Sequence, residues 1–125
     1  MCKIADYPEL YYKADWVLRI MRMSKEAPGY ELLRRAIVIW KVEGEKIESE
    51  VSENLPEVER NELIEAKLVE KVKEIASMGI SKKRVIRNDR DAFSQAMIEE
   101  IRSVSEYGDK KTILEFVRDV TKHIF

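Results

Sequence analysis

The sequence predicts an all-α domain, a bundle of five to six helices that contains a helix-turn-helix. In most segments apolar residues recur every three to four positions, as on one face of a helix. No segment alternates apolar and polar residues as a half-buried strand would. Only four glycines and three prolines occur in 125 residues, and most of them mark turns. The length suits one hydrophobic core, so we expect residues 1–125 to form a single helical domain.

Two helices are predicted in the first part of the chain. The first runs from Asp6 to Lys25, and the sequence Ala27-Pro28-Gly29 ends it. The second runs from Tyr30 to Val42 and is so rich in apolar residues that we expect it to be central and buried. Gly44 is predicted to interrupt it. The aromatic residues assigned to the core are Tyr7, Tyr11, Tyr12, Trp16, Tyr30 and Trp40.

Three more helices are predicted, each bounded by residues typical of helix ends. Pro56 begins the first of them, and Gly79 stops it after Met78. Ser81 is a good N-cap for the next, since its hydroxyl can accept from a free N–H of the first turn. Asp109 is expected to cap the last. These helices cover about 56–78, 81–104 and 110–123, and a short acidic segment, 46–54, precedes them.

Composition favours a protein of a reducing compartment. The chain has one cysteine, Cys2, which cannot form an internal disulfide. No apolar run approaches the roughly 18 residues of a membrane span, and the N-terminus lacks the apolar core of a signal peptide. We therefore expect a cytoplasmic protein with no membrane contact. One cysteine and one distant histidine do not make a zinc site, and we expect no metal or cofactor.

Charge is distributed unevenly, although the net charge is only −1. The stretch Glu43–Glu62 holds eight acidic residues against two basic ones and is the most plausible insertion or exposed face. The stretch Lys82–Arg90 holds five basic residues against one acidic residue. A near-neutral protein with one basic helix can bind DNA through that helix.

Residues Ile75–Phe93 have the pattern of a helix-turn-helix, at the centre of a motif that covers about 68–104. Ala76 permits close helix approach, Gly79 tolerates a positive φ at the turn, and Ile80 follows as an apolar plug. Val85 is expected to anchor the second helix. The residues expected to contact DNA are Ser81, Lys82, Lys83, Arg84, Arg87, Asn88 and Arg90. The alternative is an ordinary capped helix with a solvated face of mixed charge.

Roles within this set follow from side-chain chemistry. Arg87 and Arg90 are three positions apart and share a face, and arginine can bind guanine through two hydrogen bonds, so we expect them at base edges. Ser81, Lys82 and Lys83 lie at the helix start, where free N–H groups favour phosphate.

The chain resembles the DNA-binding effector domain of the sporulation stage 0 response regulator family. Its blocks Gly29–Ile37, Ser81–Phe93, Ile101–Gly108 and Lys111–Val117 are similar, in the same order, to that family's conserved helices and its recognition helix. The resemblance covers most of Gly29–Phe125. It implies an all-helical domain that binds a specific DNA box and dimerises on tandem sites. It also implies that Arg84, Arg87 and Arg90 match the family's basic residues.

The leading hypothesis is a DNA-binding transcriptional regulator, with double-stranded DNA as the partner and a possible homodimer through Tyr11 and Tyr12. The alternative is a protein-interaction module, a phage or mobile-element inhibitor on the same scaffold, which docks on a host protein through the acidic stretch Glu43–Glu62. An enzyme is not expected, because no nucleophile–base pair, metal set or phosphate loop can be assembled from the sequence.

Overall fold

The computed structural model describes residues 8–79, 90–104 and 112–124, and in these ranges the regular structure is α-helical. Within these ranges five helices follow one another. They are α1 (Pro8–Ile20), α2 (Pro28–Ser49), α3 (Glu57–Gly79), α4 (Arg90–Ser103) and α5 (Ile113–Ile124). The predicted all-α class is confirmed for these ranges. The connection of the predicted helix-turn-helix, residues 80–89, lies outside them.

The second helix is the centre of the bundle, because α2 packs against each of the other four helices. Its residues 36–39 are all fully buried, so the helix is enclosed around its whole circumference at this level. A helix that is apolar on all sides is typical of a protein interior. The prediction of a central, buried second helix is therefore confirmed.

The outer helices each contribute one apolar face to a continuous core. The buried residues of α3, α4 and α5 are Ile64, Leu68, Val69, Val72, Met97, Ile101, Ile113, Leu114, Phe116, Val117 and Val120. Every one of these faces is covered by another helix of the bundle. Among the described residues, no helix combines the length and the apolar character that crossing a membrane requires.

The predicted interruption at Gly44 is wrong, because α2 continues through this residue to Ser49. A Cβ on Gly44 would lie 3.1 Å from two carbons of the Trp40 indole, so the glycine makes room for a ring instead of ending the helix. The acidic segment 46–54 is accordingly the last turn of α2 and the loop after it. Ile47 and Val51 anchor this segment in the core.

The first helix ends at Ile20, earlier than the predicted Lys25, in a Schellman motif. The N–H of Met23 donates to the carbonyl of Leu18 at 3.0 Å, and the N–H of Arg22 donates to the carbonyl of Arg19 at 2.9 Å. Arg22 has φ of 67°, the left-handed conformation that this motif requires at its C′ position. Glycine normally supplies that conformation, so the sequence shows no sign of the helix end.

The last helix begins at Ile113 with Thr112 as its N-cap, not at Lys110 as predicted. The Thr112 Oγ1 accepts from the N–H of Glu115 at 3.1 Å, and the Glu115 carboxylate accepts from the N–H of Thr112 at 3.3 Å. These two bonds form a capping box. The predicted cap, Asp109, lies outside the described residues.

Candidate nucleic-acid interface and exposed helix faces

The predicted DNA-contacting residues fall almost entirely between α3 and α4. Gly79 is the last residue of α3 and Arg90 is the first of α4. The backbone of Arg90 is described, but its side chain lies outside the description. The predicted residues outside the described ranges are Ser81, Lys82, Lys83, Arg84, Arg87 and Asn88. The structure therefore gives the two helices that flank the basic segment and not the segment itself.

The helix after the basic segment is held against α2 by a close backbone approach at Gly29. A Cβ on this residue would overlap the carbonyl group of Ala96, lying 2.9 Å from its carbon, and would also collide with the side chain of Glu100. Met97 and Ile101, on the same side of α4, are fully buried. Since α3 and α4 also pack against each other and against α2, the two helices that flank the segment belong to the core of the bundle.

A polar network joins the inner side of α1 to α2. The Tyr11 hydroxyl donates to the Glu31 carboxylate, and the Arg34 Nε donates to the Tyr11 carbonyl at 3.2 Å. The Arg34 guanidinium stacks over the Tyr11 ring, 3.7 Å from its centroid. These contacts determine which side of α1 faces the bundle. Tyr11 is one of the two tyrosines considered for a dimer contact. Its side chain instead takes part in contacts between α1 and α2 of the same chain.

A second link between these helices is the hydrogen bond from Tyr30 to Asp15. The Tyr30 hydroxyl donates to the Asp15 carboxylate and lies 3.2 Å from the Asp15 carbonyl oxygen. Burial and this bond to a carboxylate raise the pKa of Tyr30 to about 12. The same hydrogen bond lowers the pKa of Asp15. The pair keeps Tyr30 neutral and Asp15 charged across the physiological range.

The outer side of α1 carries three large apolar residues, which we call the α1 stripe. Tyr12 is 72% exposed, Trp16 is 62% exposed and Ile20 is 58% exposed. The assignment of Tyr12 and Trp16 to the core is therefore wrong. The spacing of four residues between members of the α1 stripe could have revealed their exposure. It places the three side chains on one face of the helix, opposite the core residues Ala14 and Leu18.

The acidic stretch Glu43–Glu62 spans the end of α2, a loop and the start of α3. Three of its carboxylates pair with cations of other segments. Glu43 lies 3.2 Å from the ammonium of Lys71, Glu48 lies 2.7 Å from the guanidinium of Arg118, and Glu50 lies 3.7 Å from the ammonium of Lys67. The exposed acidic residues that remain are Glu45, Glu53, Glu57, Glu59 and Glu62.

A cleft of about 260 Å³ lies between the start of α3 and the start of α5. At its edge the Glu65 carboxylate accepts from the N–H of Leu114 at 2.7 Å, which satisfies a free donor of the first turn of α5. Burial raises the pKa of Glu65, although this hydrogen bond acts in the opposite direction. Through this contact Glu65 acts as a structural cap of α5.

Within the described part of the chain, no three histidine, cysteine or acidic side chains are grouped so that they could hold a metal ion. Comparison with protein-family models, with curated proteins and with solved structures finds no match.

Proposed function

We propose that this protein binds duplex DNA through the basic segment between α3 and α4. The observation that carries the proposal is the position of this segment. Lys82–Arg90 has a net charge of +4, and the helices at its two ends pack against each other and against α2. A basic segment on a rigid helix pair is the arrangement by which helix-turn-helix proteins present a helix to the major groove. The resemblance to the sporulation effector domain supports the same function.

The distribution of charge on α3 also favours this segment as the contact. The lysines of α3 have carboxylates nearby, Glu50 at 3.7 Å from Lys67, Glu43 at 3.2 Å from Lys71 and Glu70 at 3.9 Å from Lys73. Their charges are largely compensated where they stand. In the sequence, Lys82–Arg90 carries a net charge of +4, and phosphate binding needs such a concentration.

The first test replaces Arg87 and Arg90 with alanine and measures binding to duplex DNA over a range of salt concentrations. Loss of two charge contacts should weaken binding at least about tenfold and reduce the slope of log K against log salt by roughly 1–2. The matched control is Lys46→Ala with Arg102→Ala, two exposed cations away from the segment. Equal binding by the Arg87/Arg90 variant and the wild-type protein would refute the assignment.

Selection from random duplexes then tests whether binding is specific. A transcriptional regulator should enrich one sequence motif, and Arg87→Ala alone should relax the preference at one base position. Enrichment of no motif, with binding that depends only on salt, would leave DNA binding in place and remove the regulator role.

A second candidate, a protein-interaction module, is favoured by the start of α3. There Val58 is 69% exposed and Leu63 is 48% exposed, beside the exposed carboxylates of Glu57, Glu59 and Glu62. Exposed apolar side chains next to acidic ones suit a basic host protein, as an inhibitor from a phage or mobile element would require. A stoichiometric partner that survives nuclease treatment and is lost in the variant Val58→Lys with Leu63→Lys would support this candidate. If the same variant still binds duplex DNA, the first candidate function, DNA binding, would be supported.

A further inference from the structure

The α1 stripe (Tyr12, Trp16 and Ile20) is an apolar surface that none of the other described helices covers. Its three side chains expose roughly 350 Å² together, since a whole aromatic side chain has about 150–250 Å². A patch of this size is comparable to the largest apolar patch on a typical monomer, and such patches are often functional. Tryptophan and tyrosine are also the residues that contribute most to association when they are buried at an interface.

The charges on the same face restrict how a partner can lie. Glu9 is close to the N-terminal end of α1, and Arg19 is close to its C-terminal end; both are exposed. A second copy of α1 lying parallel would bring Glu9 beside Glu9 and Arg19 beside Arg19, and like charges would repel. An antiparallel copy would bring opposite charges together and would also oppose the two helix dipoles.

We propose that two copies of this chain associate through the α1 stripe, with the two α1 helices antiparallel. In one register the aromatic and the charged residues both find partners, while Ile20 lies at the level of the second copy's Pro8. When Tyr12 lies at the level of the partner's Trp16, Glu9 lies at the level of the partner's Arg19. Two aromatic pairs then occupy the middle of the interface and two ion pairs lie at its ends, as expected for a two-fold contact.

The area of the stripe sets the strength of this dimer. Two copies bury roughly 700 Å² of the three side chains, to which the side-chain stems of Lys13 and Arg19 add. That total is below the roughly 1,200 Å² at which stable complexes begin. We therefore expect a reversible dimer with Kd of roughly 1–100 µM, formed whether or not the protein binds DNA.

The test is sedimentation equilibrium of the full chain from about 1 µM to about 500 µM, a range that brackets the expected Kd. Wild-type protein should change from monomer to dimer across it. Trp16→Glu should remain monomeric throughout. The matched control, Val58→Glu, puts the same charge on an exposed apolar residue of α3 and should dimerise as the wild type does. Circular dichroism melts of each variant verify that all of them fold.

Charge exchange tests the antiparallel register. Glu9→Arg alone and Arg19→Glu alone should each weaken the dimer at least about fivefold, because each places like charges at both ends. An equimolar mixture of the two variants should form a heterodimer, since each copy then offers the charge that the other lacks. A wild-type chain that stays monomeric at 500 µM, or a Trp16→Glu variant that dimerises normally, would overturn the proposal. Single charge variants that dimerise normally would overturn the register.

Discussion

Replacing Gly29 with alanine should destabilise the protein, although alanine is the better helix former. The added Cβ would overlap the Ala96 carbonyl group and the Glu100 side chain. The Glu100 side chain can rotate away, but the Ala96 carbonyl is backbone, so α2 and α4 must move apart. Overpacking of this kind costs typically about 1–3 kcal/mol. The helix propensity gained returns up to about 1 kcal/mol, and less near a helix start.

The net expected loss is about 1–2 kcal/mol in the free energy of unfolding. For 125 residues the entropy of unfolding implies about 4 °C in Tm for each kcal/mol, so Tm should fall by about 4–8 °C. Differential scanning calorimetry measures this directly. A parallel urea titration gives the free energy and, through an unchanged m-value, verifies that the unfolded state is the same.

Gly44→Ala is the matched control, because it makes the same substitution in the same helix. Its Cβ would lie 3.1 Å from the Trp40 ring, which is a side chain and can give by a few tenths of an ångström. The gain in helix propensity should then roughly equal or exceed the cost, and Tm should stay within about 2 °C of wild type or rise. If Gly29→Ala were as stable as Gly44→Ala, the close approach of α2 and α4 would not constrain this position.

Three further substitutions test other local structures. Arg22→Gly should stabilise the protein by about 0.5–1 kcal/mol in urea titration, because φ of 67° strains any residue with a Cβ; no gain would contradict the left-handed cap. As the pH rises from 10 towards 12, the free energy of unfolding of the wild-type protein should fall by about 2 kcal/mol relative to that of Tyr30→Phe, since Tyr30 ionises first in the unfolded state. A difference in free energy between the two proteins that does not change with pH would contradict the raised pKa. Glu65→Gln keeps an acceptor for the N–H of Leu114. The free energy of unfolding of this variant, relative to that of the wild type, should be higher at pH 7 than at pH 4. The reason is that the raised pKa favours the folded wild type only where Glu65 is protonated, and urea titration at the two pH values measures the difference.

Helix content and the identity of the central helix follow from the sequence because both depend on local patterns. The apolar density between Tyr30 and Val42 indicates a central helix, and residues 36–39 of α2 are buried on all sides. The inward residues Val117 and Val120 of α5 follow from helical periodicity in the same manner. These predictions need no knowledge of the neighbouring helices.

The predictions that failed depend on tertiary contacts or on a residue in an unusual role. Glycine is typical of helix ends, but Gly44 lies inside α2 and leaves room for the Trp40 ring. No local pattern reveals this contact. Tryptophan is typical of a core, yet Trp16 faces the outside of the bundle, because Tyr11 contacts α2 from the other side of α1. Thr112 and Glu115 were recognisable in the sequence as a capping box, and the nearby turn signal at Asp109 obscured them.

For the candidate DNA-binding site, too, some features could be predicted from the sequence and others required the structure. Sequence pattern predicts its residues from charge and turn chemistry, as for Ser81 and Arg87. The structure contributes the support of the two flanking helices, including the contact of Gly29 with Ala96 that holds α4 on α2. That contact joins residues far apart in the chain, and no local signal could locate it.

The position of α2 in the bundle also determines how the protein opens. Every pair of described helices that excludes α2 shares a smaller contact than any pair that includes it, so we expect no stable folding unit without α2. Exposing the amides of residues 36–39 to solvent requires breaking the contacts with all four neighbours at once. These amides should therefore exchange hydrogen only through global unfolding, whereas α1, which buries few residues, can detach in a smaller opening. The structure thus contains a cooperative centre with a more easily released outer helix.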